Sequence, residues 1–266
     1  MMLEIKEYVK NRKEYLKEEL SKLDVIPTLL IIQVNHDEAS NAYIKGKIKD
    51  ASEVGFIAKL LKLDENIAEL ELLEEINKAN KDNSIHGIIV QMPLPKHINP
   101  LHVKMMISVS KDVDGFHPLS RFEPCTPLGI INYLKANDIT FTGKNAVVIG
   151  RSDIVGKPMA KLLLKENCNV TILHSKTGKD DMKFYVSHAD IIVIAIGKAG
   201  FLDNSFAYKN TAIIVDVGIN RVDGKLYGDA LKDLPVALQT PVPGGVGLLT
   251  RLTLLENLLE ATKHGF

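Results

Sequence analysis

Residues 146–159, Ala-Val-Val-Ile-Gly-Arg-Ser-Asp-Ile-Val-Gly-Lys-Pro-Met, constrain the fold more than any other stretch of the chain. The first four are apolar and largely β-branched, Gly150 starts a turn, and Gly156 with Pro158 opens a helix predicted over residues 159–166. A strand led through glycines into a helix N-terminus aims unpaired N–H groups past the strand end, where an anion is favoured. The spacing is not Gly-x-Gly-x-x-Gly, because Arg151, Ser152 and Asp153 lie between Gly150 and Gly156. Alone, the stretch fits either a phosphate cradle or a plain strand–turn–helix. Further apolar runs at 169–173, 189–196 and 212–217 turn the balance toward a parallel sheet of nucleotide-binding type.

The chain's 266 residues can build one large domain or two modest ones. Lys plus Arg and Asp plus Glu are 33 each, so no bulk field draws it to nucleic acid or to an anionic membrane, and neither partner is expected. Two cysteines, Cys125 and Cys168, are too few for a disulfide scaffold and suit a reducing compartment. The opening Met-Met-Leu-Glu-Ile-Lys-Glu has no signal-peptide core, and no long apolar run follows; a soluble, cytoplasmic protein is expected.

The first part of the chain alternates strand and helix patterns. Residues 4–23 carry one apolar helical face, 28–34 read as a buried strand, and Asn35-His36-Asp37 supplies cap residues for a helix over 38–53 closed by Gly55. Residues 56–63 and 85–91 read as strands around a helix at 67–79. The second of these strands meets Met92-Pro93-Leu94-Pro95, so the chain must leave the sheet at Gln91. A short helix at 99–109, a polar loop at 111–118, and a helix to residue 136 with Thr126 as N-cap and Pro127 at its first position come next. The run 240–247, with three glycines and two prolines, reads as non-helical, and residues 248–264 form an apolar-faced helix expected to pack back on the first domain.

The strand ending Ile172-Leu173-His174-Ser175-Lys176 has no carboxylate for a ribose 2′-hydroxyl. Lys176 and Arg151 instead favour the 2′-phosphate of NADP, the alternative being that both are ordinary solvated cations. On the helix over 38–53, Tyr43 and Lys47 share a face. That pair is surface decoration unless Gln91, at a strand end, and Asp114, in a loop, reach the same place; together they would make an acid–base site. His86 and His117 have no partners at ligand spacing, so no metal is assigned. Cys125 is read as capping and packing.

At this point the chain resembles the bifunctional methylenetetrahydrofolate dehydrogenase/methenyltetrahydrofolate cyclohydrolase family over nearly its whole length. The motifs that carry the resemblance are Tyr43-x-x-x-Lys47, Val90-Gln91-Met92-Pro93-Leu94-Pro95, Lys111-Asp112-Val113-Asp114-Gly115, Pro124-Cys125-Thr126-Pro127, Gly150-Arg151-Ser152-x-x-Val155-Gly156-x-Pro158, Asp216-Val217-Gly218-Ile219-Asn220 and Thr240-Pro241-Val242-Pro243-Gly244-Gly245-Val246-Gly247, all in the family's order. The resemblance implies two α/β domains flanking a cleft and linked by long helices, the C-terminal one a Rossmann-like parallel sheet. Residues 1–136 with 249–266 would bind folate and 137–248 would bind NADP.

It further implies that Lys47 transfers protons, that Gln91 holds and tunes it, that Tyr43 stacks on the aminobenzoate of a tetrahydrofolate, and that Asp114 anchors the pterin. Pro241, Gly244 and Gly245 would line the folate site; Gly150, Arg151, Ser152, Val155, Gly156, His174, Ser175, Lys176 and Ile219 would hold NADP, with Arg151 and Ser175 on its 2′-phosphate. A homodimer is expected on the same ground. Two departures stand out: the family's usual opening strand of Ile-Asp-Gly-Lys type is not seen, and Leu248-Leu249 replaces Pro-Met or Pro-Val, which is expected to loosen the entrance of the last helix. A shikimate dehydrogenase-like enzyme and a non-catalytic NADP-binding module are the alternatives.

Overall fold

The structure is a computed structural model that describes residues 3–264. Its backbone falls into two compact units, one made of Lys10–Cys125 with Arg251–Phe266, the other of Met1–Val9 with Thr126–Thr250.

After helix α1 (Ile5–Leu20), the first unit builds a parallel sheet from β1 (Thr28–Gln33), β2 (Ile57–Lys62) and β3 (Gly87–Val90) in the order β2-β1-β3. Every residue of β1 and β3 is buried, as in a parallel strand covered on both faces, whereas β2 lies at the edge and is largely exposed. Helices α2 (Glu38–Glu53), α3 (Glu69–Lys81) and α4 (Pro100–Met106) complete the connections. Leu30, Ile32, Ile88 and Val90 project to one face, where they pack with Leu72, Ile76 and Val103. The alternate positions, including Ile31 and Ile89, must therefore face the other way.

Local chemistry sets the ends of these elements. The Asp37 carboxylate accepts from Ser40 N at 2.7 Å, as the cap reading requires, and Gly55 leaves α2 at φ +84°. Gln91 N still donates to Ile32 O, so the ladder runs one residue past Val90 before the cis Met92–Pro93 peptide turns the chain out. The buried Lys111 ammonium donates to the carbonyls of Ala79 and Asp82 at 3.0 and 2.7 Å, closing the C-terminal end of α3. That bond fixes the loop on which Asp114 stands.

The second unit follows α5 (Cys125–Ala136) with β4 (Asn145–Ile149), α6 (Gly156–Lys165), β5 (Asn169–Leu173), α7 (Lys179–His188), β6 (Ile191–Ile194) and β7 (Ile213–Asp216). A hairpin, β8 (Asn220–Val222) and β9 (Lys225–Tyr227), then leads to the short β10 (Leu238–Gln239) and to α8 (Val246–Lys263). The five parallel strands lie in the order β10-β7-β6-β4-β5. The chain goes from β4 outward to β5 and then back across to β6, so the strand order reverses beside the carboxyl end of β4, the place where open α/β sheets bind ligands.

Three sequence expectations need correction. Helix α5 begins at Cys125, one residue ahead of Thr126, so Thr126 is not its N-cap; its hydroxyl pairs instead with the Thr250 hydroxyl at 2.9 Å. Helix α6 begins at Gly156, three residues before the predicted start, because Pro158 sits in the first turn, where a missing N–H costs nothing. Helix α8 takes in Val246 and Gly247, shortening the non-helical run. The β8–β9 hairpin was not anticipated; Asp223 and Gly224, at φ +48° and +75°, form the two-residue turn that right-twisted hairpins favour.

Candidate active site

In the first unit, α2 and the end of β3 supply a compact polar cluster. Lys47 is 6 % exposed, yet its ammonium donates to Gln91 Oε1 at 3.0 Å and lies 4.9 Å from the centre of the Tyr43 ring. Gln91 is oriented by its other end, where Nε2 donates to Met92 O at 2.8 Å. The amide therefore offers Lys47 an uncharged acceptor. Burial pushes the Lys47 proton affinity down, with the nearby Arg251 cation acting in the same direction and Asp114 and Cys125 opposing it. A lysine so placed can be neutral at a pH where a free one is not.

Asp114 interacts with Lys47 across this cluster, and burial, aided by Asp112, pushes its pKa up while Lys47 pulls it down. Cys125 is buried, with Sγ 3.3 Å from Val113 O, and burial together with Asp114 raises its pKa well above the usual thiol value. It is a packed thiol and no nucleophile. His86 accepts from Thr28 N and His117 from Leu119 N, each through Nδ1, so both serve the backbone. Among the described residues no group of three or more His, Cys, Asp or Glu could hold a metal ion.

Three participants escaped the sequence reading. Asp50, one turn beyond Lys47 on α2, is buried and binds both Lys13 Nζ and Arg251 Nε. Ser40 is buried, and its hydroxyl donates at 3.4 Å to Met92 O, the same carbonyl that orients Gln91. Arg251 interrupts an apolar helix face, the only hint of it in the sequence.

The second unit shows a cradle at the end of β4. Gly150 has φ +127°, and a Cβ there would lie 2.5 Å from Ala195 O; one on Gly156 would lie 2.4 Å from Gly150 O. Neither position admits a side chain without moving backbone, so the loop is closed down onto the α6 N-terminus. Ser152 Oγ accepts from Val155 N and Gly156 N at 3.2 and 3.3 Å.

Because Ile149 pairs with Leu173 and Gly150 N donates to Leu173 O, the exposed Arg151 and Ser152 emerge beside His174, Ser175 and Lys176. His174 Nδ1 accepts from Lys176 N at 3.2 Å, which holds that turn. On the other side of β4, the fully buried Asp229 carboxylate gathers the N–H groups of Ile196, Gly197 and Lys198 at 2.7–3.0 Å. A glycine-closed helix start with two cations and no carboxylate at the neighbouring strand end fits a dinucleotide carrying a 2′-phosphate.

Ile219 is 60 % exposed in the loop after β7. The run after β10 is tightly folded: Val242–Pro243 is cis, Gly244 has φ +91°, and a Cβ on Gly245 would lie 2.1 Å from Pro241 O. Asp216, at the end of β7, accepts from the N–H groups of Gly218, Asp229 and Ala230, and burial nevertheless pushes it up to about 6.

Comparison with known proteins agrees over both units. Residues 3–114 match the family model of the tetrahydrofolate dehydrogenase/cyclohydrolase catalytic domain, and residues 124–266 match that of its NAD(P)-binding domain. The bifunctional protein FolD of Staphylococcus aureus is 44 % identical over 280 residues, covering 98 % of this chain and 96 % of the relative. The crystal structure of the FolD methylenetetrahydrofolate dehydrogenase/cyclohydrolase from Campylobacter jejuni superposes with a TM-score of 0.95 at 41 % identity, over 100 % of this chain and 99 % of that one. The Trypanosoma brucei enzyme, solved with NADP cofactor and an inhibitor, gives 0.93 at 31 % identity, over 99 % and 97 %.

Proposed function

Because the chain belongs to the tetrahydrofolate dehydrogenase/cyclohydrolase family, we propose that the Lys47, Gln91, Tyr43 and Asp114 cluster is where its folate chemistry is done. The enzyme oxidises 5,10-methylenetetrahydrofolate to 5,10-methenyltetrahydrofolate and hydrolyses that product to 10-formyltetrahydrofolate. The family match over both parts of the chain favours this reading over a shikimate dehydrogenase-like one. The contact that carries the proposal is the 3.0 Å bond from the buried Lys47 ammonium to Gln91.

Bound NADP+ supplies the hydride acceptor for the first step. The protein's part there is alignment: Asp114 takes the amino-pyrimidine edge of the pterin and Tyr43 stacks on the aminobenzoate, so the bridging carbon is presented in one orientation. Hydride loss leaves a cation shared between N5, the bridge and N10.

The second step requires a base to take a proton from attacking water and an acid to return one to N5 as the ring opens. Lys47 does both: neutral, it accepts one proton of the water whose oxygen bonds to the bridging carbon; as ammonium, it delivers that proton to N5 as the C–N5 bond breaks, and the second water proton leaves the hydroxyl for solvent as the formyl C=O forms. Burial and a cationic substrate favour the neutral form at the start, and Gln91 Oε1 receives the ammonium once formed.

For the cofactor, Gly150, Ser152, Val155 and Gly156 are assigned to the pyrophosphate and Arg151, His174, Ser175 and Lys176 to the adenosine side with its 2′-phosphate. Ile219, Pro241, Gly244 and Gly245 are assigned to the reacting end, with Pro241 and both glycines on the folate. Folate binding is placed on residues 1–136 with 249–266 and NADP binding on 137–248, in a cytoplasmic homodimer. No helix among the described residues is long and apolar enough to cross a membrane.

The test is absorbance on mixing the protein with methylenetetrahydrofolate and NADP+, then with NAD+. Reduced cofactor and methenyl product should form together, and faster with NADP+. Turnover of a hydroxy acid with none of methylenetetrahydrofolate would reverse the assignment.

A further inference from the structure

Arg251 stands among the folate-site residues and has no part in the scheme above. Its Nε donates to the buried Asp50 carboxylate, whose other oxygen binds Lys13 Nζ, so the guanidinium is tied between α8, α2 and α1. Arg251 Cζ lies 6.0 Å from the centre of the Tyr43 ring, the ring that Lys47 approaches at 4.9 Å. It also rests on α2 where that helix has no side chain: a Cβ on Gly46 would lie 3.2 Å from both Cζ and Nε. A glycine inside a helix is less favourable than alanine, and here the space it leaves is filled by the guanidinium.

We propose that Arg251 is a positioning residue of the folate site, a permanent cation fixed by Asp50 and Gly46 that holds Tyr43 and biases Lys47 toward its neutral form. The inference rests on the assignment of Lys47 as the proton-transfer group. A guanidinium keeps its charge at any working pH, and a like charge near a buried ammonium disfavours that ammonium. The other groups that face Lys47 are Tyr43 on its own helix, Gln91 after β3, Asp114 with Asp112 behind it, and Cys125 at the start of α5. Asp114 and Cys125 act against Arg251, so its removal leaves burial as the one remaining influence that opposes their attraction for a proton.

The test is the pH profile of methenyltetrahydrofolate hydrolysis by the intact enzyme, corrected for the uncatalysed reaction. It needs no NADP. In Arg251→Met the midpoint at which activity rises with pH should move up by about half a pH unit or more, while Arg251→Lys, which keeps a cation, should stay closer to the original. Arg251→Gln, neutral but able to hydrogen-bond Asp50, gives the same readout if the methionine variant does not fold. Loss of packing alone would lower the folded fraction and leave the midpoint where it was. Coincident midpoints in the unaltered enzyme and in a folded neutral variant overturn the proposal. If the unaltered enzyme does not hydrolyse methenyltetrahydrofolate, the Lys47 assignment itself has failed, and this inference falls with it.

Discussion

Lys47→Met removes cyclohydrolase activity, by a factor of about 1000 or more, and leaves NADP binding unchanged. A positioned proton-transfer group is worth about 100- to 10000-fold, and Lys47 supplies both proton transfers in the scheme. Methionine keeps most of the buried volume and should fold, since it loses a single bond, to Gln91. In the unaltered enzyme the hydrolysis rate rises with pH as Lys47 becomes neutral. Burial places that rise below the ordinary lysine value of 10.5, because a base whose protonated form is destabilised gives up its proton at lower pH. Stopped-flow decay of the methenyl chromophore measures the rate, and NADP titration of the same variant measures binding. A Lys47→Met enzyme that hydrolyses at full rate removes Lys47 from the mechanism.

The second large effect is at the opposite end of the chemistry. Gly156→Ala should raise the KM for NADP+ at least tenfold, about 1.4 kcal/mol of binding, and leave hydrolysis of supplied methenyltetrahydrofolate close to normal. Its new Cβ would meet Gly150 O at 2.4 Å, which forces the loop off the α6 N-terminus and breaks the pairing of Val155 N and Gly156 N with Ser152 Oγ. Steady-state kinetics with NADP+ varied, set beside the cyclohydrolase assay, check both halves. Loss of both activities together would indicate a folding defect, which circular dichroism identifies; an unchanged KM would place the pyrophosphate elsewhere.

How much of this was legible in the sequence follows from which forces act locally. Buried parallel strands declare themselves as apolar β-branched runs, so β1, β3, β4, β6 and β7 were readable to within two residues at each end, as were the partly exposed β5 and a cap within residues 35–37. The start of α6 was placed three residues late: Gly156 and Pro158 mark the helix entrance in the sequence, but that both lie inside its first turn, with Gly156 closed against Gly150, shows only in the fold. The hairpin after Asp216 was missed although Asp-Gly sits at its turn, because strands of three residues give too little alternation to notice.

At the site, Tyr43 and Lys47 were paired by helical spacing and Gln91 by the prolines that end its strand. Arg251 and Asp50 were invisible, since their contact spans most of the chain and each alone looks like a solvated charge on a helix. Gly46 likewise makes sense only once the guanidinium above it is seen.

The most direct test of the central claim is a crystal structure of the enzyme with NADP and a stable 5,10-bridged folate analogue. Lys47 Nζ should lie within about 3.5 Å of the bridging carbon or of a water held against it, with Gln91 still in contact, Tyr43 stacked on the aminobenzoate and Asp114 on the pterin edge. An analogue bound with its bridge far from that ammonium, or a Lys47 side chain turned away from the ligand, would contradict the account.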